Sequence, residues 1–161
     1  MKIAILGGTG NEGFGLGFRW AMAGHEIIIG SRLEEKGAKA AARMLELAPG
    51  TTITGTNNLS ATQQGELVVL SVPYWAQETT LDSIKSALNG KLLLTVVAPT
   101  GEKASRVWRL PSGLSAAEEA QQQLGDITRV VAAFQNIGAH HLLDLNHQSE
   151  SDVLVCGDKG A

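Results

Sequence analysis

The feature that most constrains this chain is a cluster of glycines near its start. An apolar run, Ile3-Ala4-Ile5-Leu6, leads straight into Gly7-Gly8-Thr9-Gly10-Asn11-Glu12-Gly13. Positions 8–13 match G-x-G-x-x-G, directly after a strand pattern and at the opening of a helix pattern. That context gives the motif its weight. The reasons are steric and electrostatic. Gly8 permits the tight turn, Gly10 lets the backbone approach a pyrophosphate, and Gly13 lets helix and strand pack closely. The open amides and the dipole at the helix start then favour phosphate. Glu12 is the oddity, because a carboxylate repels a bound pyrophosphate; its side chain is expected to point to solvent. Eight of the 19 glycines fall in the first 30 positions. The glycine excess therefore belongs to this turn and its helix, and no Gly-X-Y period is present.

Beyond the turn, short β-rich runs alternate with helix-compatible ones. Strands are expected at 3–6, 26–29, 67–72, 91–97, 129–133 and 152–155, with a weaker one at 52–54. Helices are expected at 13–23, 34–47, 75–88 and 115–124. Most of the strand runs are continuously apolar, as in parallel strands covered on both faces. The pattern predicts a three-layer α/β fold, a doubly wound, mostly parallel sheet of the Rossmann type. Ser115-Ala116-Ala117-Glu118 has capping-box spacing. The stretch 99–114 is long for a loop in a compact domain, and such loops are often functional. After 152–155 a further helix would be expected to cover the sheet, but the sequence stops at Ala161.

Length and composition narrow the class. The 161 residues suit one domain over 1–161, with 43% hydrophobic and 18% charged residues. A net charge of −3 argues against a basic groove for nucleic acid. No run approaches the roughly 20 apolar residues of a membrane span, and a soluble cytoplasmic protein is expected. The single cysteine excludes an internal disulfide framework and a cysteine-rich zinc site. Cys156 lies in an apolar strand pattern that favours burial. His140, His141 and His147 lack ligand spacing, so no metal is expected. Neither a G-x-S-x-G elbow nor a Walker motif is present.

The end of the second strand selects the cofactor. NAD sites place an acid there for the ribose 2′-hydroxyl. Here Ile27-Ile28-Ile29 runs into Gly30-Ser31-Arg32, with no acid. Ser31 can donate to a 2′-phosphate, and Arg32 can fork onto that phosphate or stack on adenine. Lys36, one helical turn on, adds a second positive charge. Charged hydrogen bonds of this kind contribute about 1.5–3 kcal/mol each. The reading is NADP(H) over NAD(H).

Gly7-Gly8-Thr9-Gly10-Asn11, Arg19-Trp20-Ala21, Ala23-Gly24-His25 and Gly30-Ser31-Arg32, with the later 131–136 and 152–158, resemble the NADPH-dependent reductases of the deazaflavin coenzyme F420. The similarity spans essentially the whole chain. It implies reversible hydride transfer between NADPH and F420, the two rings stacked, with no protein nucleophile and no metal. Catalysis would then be mostly positioning. By position, the resemblance implies that Thr9, Gly10, Asn11 and Glu12 hold the pyrophosphate and that Ser31, Arg32 and Lys36 hold the 2′-phosphate. Val72 and Ala76 would line the dinucleotide, and Ala98, Thr100 and Ala139 would flank the nicotinamide. These positions follow strand carboxyl ends, where open α/β sheets bind ligands.

Two departures from the family stand out. Gln135 occupies a position where the family often has histidine. The family also continues for several helices past the equivalent of Ala161, and those helices help close the substrate site and form a homodimer. Lys103, Arg106 and Arg109, with Trp108 among them, are able to steer the anionic tail of F420; a solvated loop explains them equally well. Two other functions are compatible with the same residues. One is an NADPH-dependent flavin or ferric reductase, and the other a non-catalytic NADP(H)-binding regulatory module.

Overall fold

A computed structural model describes residues 1–100, 110–147 and 151–158. Its centre is a seven-stranded sheet. The strands are β1 (Lys2–Leu6), β2 (Glu26–Ser31), β3 (Ile53–Asn57), β4 (Leu67–Leu70), β5 (Leu92–Thr95), β6 (Arg129–Ala133) and β7 (Val155–Gly157). Their spatial order is β3-β2-β1-β4-β5-β6-β7. All neighbours pair in parallel except β7, which runs antiparallel to β6. The helices are α1 (Asn11–Met22), α2 (Glu34–Leu47), α3 (Asn58–Gln64), α4 (Gln77–Ile84) and α5 (Ala116–Leu124). This is the expected doubly wound α/β fold.

The continuous apolar strands are explained by two cores, one on each face of the sheet. Ile3, Ile5, Ile27 and Ile29 pack with Leu16, Phe18 and Met44 of α1 and α2. Ala4, Leu6, Ile28, Val68, Leu70 and Leu93 pack with Leu81, Ile84 and Leu124 of α4 and α5. Alternate residues of one strand thus serve opposite cores. The Ser115 side chain accepts from the Glu118 amide, while the Glu118 carboxylate accepts from the Ser115 amide, completing the capping box.

Several elements depart from the expected bounds. The weak strand at 52–54 extends to Asn57. Gly55 interrupts its pattern because α2 crosses there: a Cβ on Gly55 would stand 2.1 Å from the Gly37 carbonyl oxygen. The expected helix at 75–88 divides into a 3₁₀ turn at Tyr74–Ala76, α4, and a second 3₁₀ turn at Lys85–Ala87. α3 was not expected at all, since it is short and mostly polar. Asn57 accepts from the Ser60 amide at its start. At its end the Lys91 ammonium donates to the carbonyls of Thr62, Gln63 and Gly65 at 2.7, 3.0 and 2.6 Å.

The last strand lies at 155–157 rather than 152–155. It is an exposed edge strand, and Cys156 is consequently exposed and unpaired, contrary to the burial expected from its apolar neighbours. Lys103, Arg106, Trp108 and Arg109 lie outside the described residues.

Candidate functional site

The glycine-rich turn joins β1 to α1, and its geometry redistributes the expected roles. Gly7, not Gly8, makes the tight turn. Its φ is +79°, and a Cβ there would meet the Ser71 carbonyl oxygen at 2.3 Å. The Gly10 amide closes the turn by donating to the Gly7 carbonyl at 2.9 Å. Gly13 does allow close packing: a Cβ on it would stand 2.9 Å from Ser71 Oγ and 3.0 Å from the Gly8 Cα. At Gly10 the nearest protein atom to a Cβ would be 3.5 Å away. The protein itself tolerates a side chain there, so the opening at Gly10 is space available to a ligand. No side chain caps α1 at Gly10, leaving first-turn amides for an anion.

A cavity of about 590 Å³ opens beside this turn, at the carboxyl ends of β1, β2 and β4. It gathers Thr9, Gly10, Ser31, Arg32, Lys36, Val72 and Ala76. Ser31 is buried at the end of β2, while Arg32 and Lys36 are exposed. Neither cation is engaged in an ion pair with a described residue. The wall thus offers a hydroxyl and two uncommitted positive charges close to the glycine-rich turn, with no carboxylate among its lining residues. A dianionic phosphate on a ribose fits this chemistry.

Six residues in this wall were not expected from the sequence: Leu33, Asn58, Ser71, Pro73, Trp75 and Thr80. Leu33 and Trp75 line the cavity and are 58% and 69% exposed. Asn58 lines it from the start of α3 and is buried. An acid-free strand end is readable in sequence. A cavity residue on an unexpected helix is not.

Glu12 corrects a second expectation. Its Oε1 is buried with no hydrogen-bond partner, rather than directed into solvent. Desolvation pushes its carboxyl up to about 7 from the ordinary 4.5. Asn11, Glu12, Gly8 and Gly13 do not line the cavity.

A second cavity of about 790 Å³ lies at the ends of β5 and β6 and against the start of α5. Val97, Ala98, Pro99, Ala132, Gln135 and Cys156 are among its lining. Gln135 donates from Nε2 to the Thr95 carbonyl at 2.9 Å. Thr100 is exposed and donates its amide to the Ala98 carbonyl. Ala139 lies in the 3₁₀ turn Ala139–His141. Neither Thr100 nor Ala139 lines either cavity.

Arg19 of α1 holds that turn in place. Its guanidinium donates to the carbonyls of Leu142, His141 and Asp144. Phe134, just after β6, takes a positive φ of 72° and meets Trp20 edge-to-face at 5.7 Å. The His141 and His147 rings stack at 3.9 Å, and the His140 ring meets His141 at 3.8 Å with a tilt of 44°. Among the described residues no three metal-ligating side chains converge. No helix among them is long and apolar enough to cross a membrane.

Comparison with known proteins agrees with this geometry. Residues 2–99 match the family described as NADP oxidoreductase coenzyme F420-dependent. An F420-dependent NADP reductase of Methanothermobacter marburgensis is 45% identical over 98% of this chain and 73% of its own length. That of Methanocaldococcus jannaschii is 40% identical over the same shares. A crystal structure from an Arthrobacter species, described as an F420-dependent NADP-reductase, superposes with a TM-score of 0.79 at 25% identity. The match covers 99% of this chain and 75% of that one. Pyrroline carboxylate reductase of Plasmodium falciparum, with NADP bound, shares the fold at a TM-score of 0.65 and 14% identity, over 100% of this chain and 49% of that one.

Proposed function

The chain belongs to the coenzyme F420-dependent NADP oxidoreductase family, and from that premise we propose which of its residues hold each partner. It is an oxidoreductase that transfers a hydride between NADP(H) and the deazaflavin coenzyme F420. The observation that carries the assignment of residues is the first cavity. There the glycine turn and the acid-free Ser31-Arg32-Lys36 corner share one wall.

Gly10 and the first-turn amides of Asn11, Glu12 and Gly13 would hold the pyrophosphate, with Thr9 beside them. Ser31, Arg32 and Lys36 would hold the 2′-phosphate, with Val72 and Ala76 along the dinucleotide. NADP(H) supplies the hydride chemistry when bound. The chain contributes position: Ala98, Thr100 and Ala139 follow β5 and β6 and would flank the nicotinamide. The second cavity, with Gln135 in its wall, would receive the deazaflavin. Arg19 would act as a positioning residue, since it fixes the turn that carries Ala139.

The Arg32→Ala variant tests the first assignment. The charged contact at stake is worth at least about 1.5 kcal/mol, so NADPH should bind at least about tenfold more weakly. NADH, which lacks the 2′-phosphate, should change little. Equal losses for both would sink it. Mixing NADPH with the wild type and either F420 or FMN, and following NADPH absorbance, tests the acceptor. Oxidation with F420 alone is expected, whereas turnover of FMN would indicate a flavin reductase. Tight NADPH binding with neither acceptor reduced would indicate a binding module.

The exposed unpaired thiol of Cys156 suits a reducing compartment, and we propose a cytoplasmic location. The exposed apolar edge at Leu154 and Val155, 68% and 67% accessible, supports homodimer formation. Light scattering on the purified chain would give a dimer mass.

A further inference from the structure

A single carboxylate joins the rims of the two cavities. The first rim is the 3₁₀ turn Tyr74–Ala76. Pro73, Trp75 and Ala76 line the first cavity, while the Tyr74 hydroxyl donates to Glu119 Oε2 at 2.6 Å. The second rim is the turn at 110–113, where Leu110 and Gly113 line the second cavity together with Leu114. The Gly113 amide closes this turn by donating to the Leu110 carbonyl at 3.0 Å, with Gly113 at a φ of +75°. Ser112, inside the turn, donates its hydroxyl to Glu119 Oε1 at 2.5 Å.

Helix geometry explains how one residue reaches both rims. The capping box turns Glu118 back onto the Ser115 amide. Glu119 stands one residue on, about 100° further round α5, and is half-buried. Each of its oxygens accepts from a hydroxyl of a different rim. Hydrogen bonds to an ionised carboxylate are among the stronger ones in proteins. The bond to Glu119 pushes the Tyr74 hydroxyl up to about 12 from the ordinary 10, so Tyr74 remains a donor throughout the neutral range.

Other groups pack α4 against α5. Gln77 is buried and donates to the Ala116 carbonyl at 2.8 Å. Gln123 donates to the Glu78 carbonyl at 2.9 Å. These ties hold the two helices together without the Glu119 carboxylate. Its bonds go instead to the two turns that form cavity rims.

We propose that Glu119 is a positioning residue that couples the two cavities, so that a ligand in one binds more tightly when the other is filled. This rests on the assignment above, with NADP(H) in the first cavity and the deazaflavin in the second. A dinucleotide lying along Val72 and Ala76 fixes the 74–76 turn. Tyr74, Glu119 and Ser112 pass that restraint to the 110–114 wall. The second ligand then meets a wall that is already ordered and pays less to bind. Such coupling is reciprocal, so each ligand tightens the other by the same factor. In a hydride transfer neither partner reacts alone, and the coupling favours the complex that holds both.

Oxidised F420 and NADP⁺ do not react with each other, so both can be held at equilibrium. The test titrates F420 into the whole chain by calorimetry, with and without saturating NADP⁺. The wild type should bind F420 at least about fivefold more tightly with NADP⁺ present, the lower end of coupling between sites. Tyr74→Phe, Ser112→Ala and Glu119→Ala should each bring that ratio to within about twofold of one. Cutting either end breaks the bridge, so the double variant Tyr74→Phe with Ser112→Ala should show the same ratio as each single variant.

The wild-type ratio needs no variant, so misfolding cannot shelter the proposal; a ratio of one would overturn it. A ratio that survives in Tyr74→Phe, which keeps the ring, would overturn it as well. So would single variants whose losses add, since that marks two independent contacts and not one bridge. A wild type that binds neither molecule would instead bring down the assignment of the cavities, a result distinct from a ratio of one.

Discussion

Replacing Glu12 with glutamine should stabilise the protein above neutral pH and do nothing comparable in acid. The Glu12 Oε1 is buried without a partner, and desolvation pushes the carboxyl up to about 7 from 4.5. A tenfold change in proton affinity corresponds to about 1.4 kcal/mol, which bounds the cost of ionising this group in the fold at about 3 kcal/mol. Two effects reduce that. The side chain retains some contact with water, which screens its charge. The open amides at the start of α1 also favour a carboxylate by about 0.3–1 kcal/mol. A net cost of about 1–2 kcal/mol remains.

The sign follows from the raised value. In acid the carboxyl is neutral in both folded and unfolded chains, so no cost arises. Between about pH 4.5 and pH 7 the unfolded chain ionises first, and wild-type stability falls. Above about 7 the full cost is present. Glutamine does not titrate, so the variant should melt about 2–8 °C higher than the wild type at pH 8.5, for a chain of this size. That gain should shrink steadily towards pH 5. Differential scanning calorimetry at matched ionic strength gives the comparison. A gain independent of pH would refute the argument, and so would a less stable variant at pH 8.5. With pyrophosphate at the same turn, the variant should also bind NADPH more tightly at pH 8.5 and about equally at pH 6.

Other predictions concern the scaffold around the cavity. Lys91 supplies three hydrogen bonds to the carbonyl end of α3; Lys91→Met should cost about 2–4 kcal/mol by urea denaturation, and a loss below about 0.5 kcal/mol would deny it that role. Gly55→Ala would place a Cβ 2.1 Å from backbone oxygen, so α2 must shift; the variant should be destabilised by at least about 2 kcal/mol or fail to fold. Ser115→Ala removes one half of the capping box and should cost about 1 kcal/mol, with NADPH affinity unchanged.

What could be read from the sequence divides along a physical line. The glycine-rich turn was legible because its demands fall on the local backbone, although the tight turn expected at Gly8 falls at Gly7: a φ of +79° there and a close approach at Gly13 admit almost no residue but glycine. The absence of an acid at the end of β2 was legible because it turns on the identity of one residue at a known place. Glu12 was misread because its exposure depends on the rotation of α1, and Arg19 pins that helix to carbonyls more than 120 residues away. α3 was missed for a related reason. Seven mostly polar residues give too weak a periodic signal, and the helix is completed at its far end by Lys91, which enters from the neighbourhood of β5. Asn58 reaches the cavity only because α3 exists, and it finds space there only because Gly30 lacks a side chain. Gly30 thus has two readings. In sequence it marks the acid-free corner of an NADP site. In the fold it is the place where β2 yields volume to the carboxamide of a residue from the next crossover.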